Sequence, residues 1–113
     1  MPPHRLIEAS NGRVVCERLR IADRFWSRLI GLQFRRTLPT GEGLLLVPCA
    51  SVHTLFVRFA IDIVMLDERF EVIEVRTHVR PWRFIVPQRR THAMLELPAG
   101  TANVVVGERL KVE

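Results

Sequence analysis

Cys49-Ala50-Ser51-Val52-His53-Thr54-Leu55-Phe56-Val57-Arg58-Phe59-Ala60-Ile61-Asp62-Ile63-Val64-Met65-Leu66-Asp67 is the longest strongly apolar run of the chain, and its reading decides the fold. A stretch this rich in Val, Ile, Leu and Phe reads as buried strand. It nevertheless carries His53, Thr54, Arg58 and Asp62. Polar groups buried without partners cost several kcal/mol, so these four either stitch the fold together or line a site. A single straight strand puts Thr54, Arg58 and Asp62 on one face and His53 on the other, because side chains alternate. A bend near Arg58-Phe59-Ala60 changes that parity and divides the run into strands Val52–Val57 and Ile61–Leu66.

Short strands follow on both sides. Leu6–Ala9 and Arg13–Cys16 flank Ser10-Asn11-Gly12, where Asn-Gly suits the two positive-φ positions of a type I′ hairpin turn. Leu44–Val47 is closed by Pro48. Phe70–Val79, His92–Leu97 and Arg109–Val112 complete the set, separated by turn residues. Ala22, Phe25, Trp26, Leu29 and Ile30 form one stripe at helical spacing, with Asp23 as cap and Gly31 as stop. The expectation is therefore a mainly β protein, a small antiparallel sandwich or partly open barrel, with one clear α-helix at about 23–31. A short helical turn near 99–104 is expected because Pro98 suits a first-turn position.

The chain has 113 residues, 48% hydrophobic and 26% charged, which fits one domain spanning 1–113 with its own core. No signal-peptide apolar region fits among the charges of the first twenty residues, and no run of about 18 apolar residues occurs. Cys16 and Cys49 have no CxxC spacing, so free thiols in a reducing cytoplasm are expected, and the lack of a long apolar run leads to the expectation of no membrane partner. The formal net charge is +5, almost all the positive charge being arginine. Guanidinium forks suit carboxylates and phosphates, although charge alone speaks of loose association rather than of a particular ligand.

Together, Trp26-Ser27-Arg28-Leu29-Ile30-Gly31-Leu32, Gly41-Glu42-Gly43-Leu44, Ser51-Val52-His53-Thr54, Arg58-Phe59-Ala60-Ile61-Asp62-Ile63, Pro81-Trp82-Arg83 and Leu95-Glu96-Leu97-Pro98-Ala99-Gly100 resemble the prokaryotic domain of unknown function 192 family. The resemblance runs from about residue 5 to the C-terminus and implies a mostly β single domain with no established activity. The family usually reads Met-Arg-Phe-Pro-Ile-Asp where this chain has Val57-Arg58-Phe59-Ala60-Ile61-Asp62, and Met or Gly where it has Gln33. Its polar motif positions are present as His53, Thr54, Arg58 and Asp62.

Three chemistries can be weighed against these residues. An enzyme, a hydrolase or transferase, would use His53 as general base oriented by Asp62. No nucleophile elbow or oxyanion signature accompanies them. Scattered histidines without HxH or HExxH spacing argue against a metal, and nothing points to a cofactor. Specific nucleic-acid recognition is unsupported, since Phe56, Phe59, Phe70 and Trp26 sit in apolar runs and only Trp82 stands among arginines. The residues place a binding module ahead of an enzyme, with a polar pocket of His53, Thr54, Arg58 and Asp62 joined by Trp82 and Arg83. Its partner would be an anionic small molecule or an acidic protein. The third reading is a purely structural polar cluster, Arg58 and Asp62 locking the bend, with function through a protein partner.

Overall fold

The computed structural model describes residues 4–23, 37–48 and 57–113, together with the backbone of 52–53. Among these lie nine strands: β1 (His4–Glu8), β2 (Val14–Ala22), β3 (Glu42–Leu46), β4 (Val52–His53), β5 (Ile61–Leu66), β6 (Val72–Val79), β7 (Phe84–Ile85), β8 (Ala93–Pro98) and β9 (Leu110–Val112). Seven form one open mixed sheet in the order β6-β5-β8-β3-β2-β1-β9, while β4 and β7 pair as a separate two-stranded ribbon. The protein is mainly β, as its alternating apolar runs require.

Three expectations change. The sheet is not purely antiparallel, because β2 and β3 run parallel, with Arg18 opposite Glu42 and Ala22 opposite Leu46. Parallel neighbours need a crossover of a dozen or more residues, which residues 23–41 are long enough to supply. The helix expected at 23–31 falls in that connection, and all of it beyond Asp23 lies outside the described residues. Residues 99–104 are not helical. Thr101 donates both its N–H and its hydroxyl to the Pro98 carbonyl, at 3.1 and 2.7 Å, which closes a turn, and Gly100 at φ 82° breaks helical geometry. The β1–β2 loop departs in detail, since Gly12 has positive φ and Asn11 does not. The Asn11 side chain instead accepts from the Arg13 N–H at 2.8 Å, a local turn in place of the type I′ geometry.

The central strands are buried on both faces. Val64, Leu66, Ala93, Leu95, Leu97 and Leu45 join one cluster with Leu6, Leu19 and Leu110. Their alternate neighbours Ile61, Ile63, Met65, Met94, Leu44 and Leu46 join a second with Val57 and Ile85. Because Ile85 belongs to that second cluster, the β4–β7 ribbon lies against this face. All six residues of β5 are buried, so a nearly continuous apolar strand is the expected sequence. The sheet curls around the first cluster until its edges meet. Glu71 bridges Arg109, and Leu110 and Val72 donate backbone bonds to Phe70 and Glu108 at 2.9 and 2.8 Å.

Gly43 marks the tightest contact between strands. A Cβ there would stand 2.8 Å from Leu97 Cδ2, 2.9 Å from Cys16 Sγ and 3.3 Å from the Glu96 carbonyl oxygen. Gly43→Ala is expected to lower the unfolding free energy by about 1–3 kcal/mol through overpacking, read by urea denaturation. An unchanged midpoint would mean that β3 can shift away from β2 and β8 without cost.

Candidate functional site

Asp62 sits in the middle of β5 with no exposed surface. It alternates with Ile61 and Ile63 of the second cluster, so its carboxylate lies on the side of the first. Opposite it the ladder is irregular: Ile61 pairs with Val79 and Ile63 with Arg76, leaving one extra residue in β6. This β-bulge contains His78 at φ 54°, a left-handed conformation that is uncommon outside glycine. Its N–H turns inward and donates to Asp62 Oδ1 at 2.9 Å, while Ala102 N–H donates to Oδ2 at 2.9 Å. One carboxylate therefore satisfies a bulge in β6 and the turn after β8, on either side of its own strand.

The other expected site residues are placed differently. Arg58 is exposed, between buried Val57 and Phe59, which packs on the second cluster. The backbone of His53 in β4 is registered opposite Phe84 in β7, which brings it beside Trp82 and Arg83 in the chain. Thr54 lies outside the described residues. The fold thus gathers His53 with the 82–84 segment on the ribbon, and separates that ribbon from the Asp62 carboxylate by the thickness of the sheet.

The ribbon carries an unusual surface. Trp82 is 57% exposed, Phe84 74% and Val86 75%, while Ile85 between them is buried. Arg80, Arg83, Arg89 and Arg90 are exposed, and no acidic residue occurs from 80 to 92. Trp82 is held at φ 64°, a strained conformation for a bulky side chain. Two cavities among the described residues lie elsewhere. One of 530 Å³ sits at the β5–β6 turn among Asp67, Glu68 and Arg90. The other, of 250 Å³, lies between the start of β2 and Thr40–Glu42.

Glu96 is a polar residue that sequence reasoning passed over. It is 2% exposed in the centre of the sheet. Met94 beside it belongs to the second cluster and Leu95 and Leu97 to the first, so Glu96 faces the ribbon side. Its cross-strand neighbours there are Leu44 and Ile63. Desolvation pushes its carboxyl up to about 8, so it is a neutral acid at pH 7. The signal was a charged residue inside Met94-Leu95-Glu96-Leu97, the same one that marked Asp62.

With this geometry in view, the comparisons with known proteins agree. The family model DUF192, described as "Uncharacterized ACR", matches residues 6–112. The chain belongs to the DUF192 family. A UPF0127 protein of Pyrococcus furiosus is 36% identical over 94% of this chain and 96% of its own length. A second, from Pyrococcus horikoshii, is 33% identical over 82% and 85%. A crystal structure of a protein of unknown function from Novosphingobium aromaticivorans matches with a TM-score of 0.80 at 22% identity, covering 96% of this chain and 83% of that one. A protein described as a putative transcription regulator from Sinorhizobium meliloti matches with a TM-score of 0.81 at 24% identity, covering 96% and 91%. At these identities the two structures speak for the shared fold alone.

Two expected outcomes follow from the buried carboxyls. Asp62→Ala should cost about 3 kcal/mol or more, because two buried N–H groups lose a charged acceptor. Asp62→Asn, with a single acceptor oxygen, should fall between it and the wild type. Urea denaturation with amide exchange at His78 and Ala102 checks this, and unprotected exchange at both amides in the wild type would contradict it. Glu96 holds a proton in the folded state that the unfolded state, with a pKa near 4.5, has already lost. Its contribution is therefore full below about pH 4.5 and declines as pH rises through about 8, by at most about 1.4 kcal/mol per pH unit. Glu96→Gln should gain stability relative to wild type as pH rises across that window. Parallel stability curves would refute it.

Proposed function

We propose that this protein is a cytoplasmic, non-enzymatic binding module that receives an anionic partner on the β4–β7 ribbon. The observation that carries the reading is the exposed pair Trp82 and Phe84 beside Arg80 and Arg83, in and just before strand β7, where Phe84 is registered against His53. Large aromatic side chains at this exposure are out of place on a surface that meets only water. Arginine forks beside them supply the bidentate, planar contacts that carboxylates and phosphates take. The left-handed Trp82 supports the same reading, since backbone strain concentrates at functional positions. In this assignment Arg58, Trp82, Arg83, His53 and Thr54 serve the partner, and Asp62 serves the fold.

The enzymatic alternative would use Asp62 to orient His53. Both Asp62 oxygens already accept backbone N–H groups, on the side of the sheet away from the ribbon, so that reading lacks its orienting group. The structural-lock alternative pairs Asp62 with Arg58, but Asp62 accepts from the His78 and Ala102 N–H groups while Arg58 is exposed, and that alternative leaves the ribbon unexplained.

Arg83→Glu with Arg89→Glu should abolish retention on heparin at about 0.1 M salt, where the Debye length is about 10 Å. The melting temperature should stay within a few degrees of wild type. Arg109→Glu with Lys111→Glu, an equal change of charge at β9, should leave most of the retention in place. Equal loss in both variants would reduce the effect to net charge and overturn the proposal.

A further inference from the structure

We propose that the anionic partner is a phospholipid surface: Trp82, Phe84 and Val86 enter the interfacial layer of a bilayer while Arg80, Arg83 and Arg89 lie over its acidic headgroups. The inference rests on the reading of the ribbon as an anion-binding surface and names the source of the anions. Strand β7 has two unlike sides. Ile85 is buried in the core cluster that includes Ile61, Ile63 and Met94, which anchors the segment to the sheet. Phe84 and Val86, one residue to either side, point away from it with about three-quarters of their surface exposed. Trp82 extends the same exposed apolar set by two residues. Pro81 and Pro87 bracket the segment, so its backbone is restricted at both ends.

The charge distribution fits an anionic plane. The whole chain has a net charge of +5, and residues 80–89 contribute Arg80, Arg83 and Arg89 and no acid, whereas Arg90 lines the cavity that Asp67, Glu68 and Glu71 share. Each cation held near an acidic leaflet adds attraction that falls off within a Debye length. Trp at the headgroup level, with apolar neighbours below and cations around, is the arrangement that favours the bilayer interface.

A bilayer accounts for this surface better than a folded protein does. Protein partners engage anchors through shaped, well-packed pockets. Here Trp82, Phe84 and Val86 protrude, each more than half exposed. Protruding side chains suit a deformable interfacial layer. The sequence-based expectation of no membrane concerned spanning segments, and among the described residues no helix is long and apolar enough to cross a membrane; a peripheral contact of three side chains requires none and replaces that expectation. Because the apolar contact is small, binding should be reversible and should depend on acidic lipid.

Co-sedimentation of the full chain with phosphatidylcholine vesicles containing about 30% phosphatidylserine tests this, with pure phosphatidylcholine and added salt as comparisons. The expected result is pelleting with the acidic vesicles only, weakened by salt. Trp82→Ala with Phe84→Ala should reduce partitioning by roughly tenfold or more while the melting temperature stays near wild type. The single variant Phe84→Ser provides the same reading should the double variant prove unstable. Wild-type tryptophan fluorescence should shift to the blue on vesicle addition, and the shift should vanish in Trp82→Phe. Retention on heparin without pelleting overturns the lipid assignment and leaves the anion-binding reading standing, with an acidic protein as the partner class. Loss of both overturns both. Pelleting that survives removal of Trp82 and Phe84 overturns the insertion.

Discussion

The Asp62 carboxylate is the contact on which the arrangement of this fold depends. Strand β5 is buried from end to end, and a charged group inside it is tolerated only when its acceptors are filled. Two backbone N–H groups fill them, from His78 in the β6 bulge and from Ala102 after β8. Strands β6 and β8 are the two neighbours of β5, so a single side chain fixes an irregularity on each flank of the strand that carries it. The bulge would otherwise leave a backbone donor without a ladder partner, in a residue whose positive φ already carries strain. The Pro98–Thr101 turn, with Gly100 close to the His78 ring, packs against the same place.

The strands were legible because burial on alternating faces leaves a periodic trace. Ile61–Leu66 is read from the sequence with the bounds it has in the structure, and the family motifs cover nearly the whole chain. The parallel pairing of β2 with β3 was not legible, since apolar periodicity says where a strand lies but not which neighbour it takes or in which direction. The turn after Pro98 was misread as helical because a proline favours a first helical turn and a tight turn alike.

The candidate site divides along the same line. That Asp62 had to be satisfied was readable. Its donors were not, because they lie 16 and 40 residues away and are backbone groups without a side-chain signature. The ribbon register of His53 against Phe84 likewise depends on tertiary placement. The exposure of Trp82 was foreshadowed by the arginines around it, whereas that of Phe84 was not, since an apolar residue next to Ile85 reads equally well as core. Glu96 carries the same signal as Asp62, a charged residue inside an apolar run, but a strand that ends in a turn can equally place such a residue at an exposed edge.

Charge is distributed unevenly between framework and ribbon. Glu8 binds Arg13 through both oxygens at 2.8 Å, Glu74 engages Arg76 and Gln88, and Asp67 accepts from the amides of its own turn at 2.9 Å. These acids hold loops and strand edges. They leave segment 80–92 without an acid of its own. Glu96, on the ribbon side of the sheet between Leu44 and Ile63, has its carboxyl pushed up to about 8 by burial. A sheet buried on both faces thus keeps its structural carboxylate on one side and a cationic, aromatic surface on the other. Residues of the ribbon that point to solvent can change there without disturbing the packing that Ile85 shares with the core.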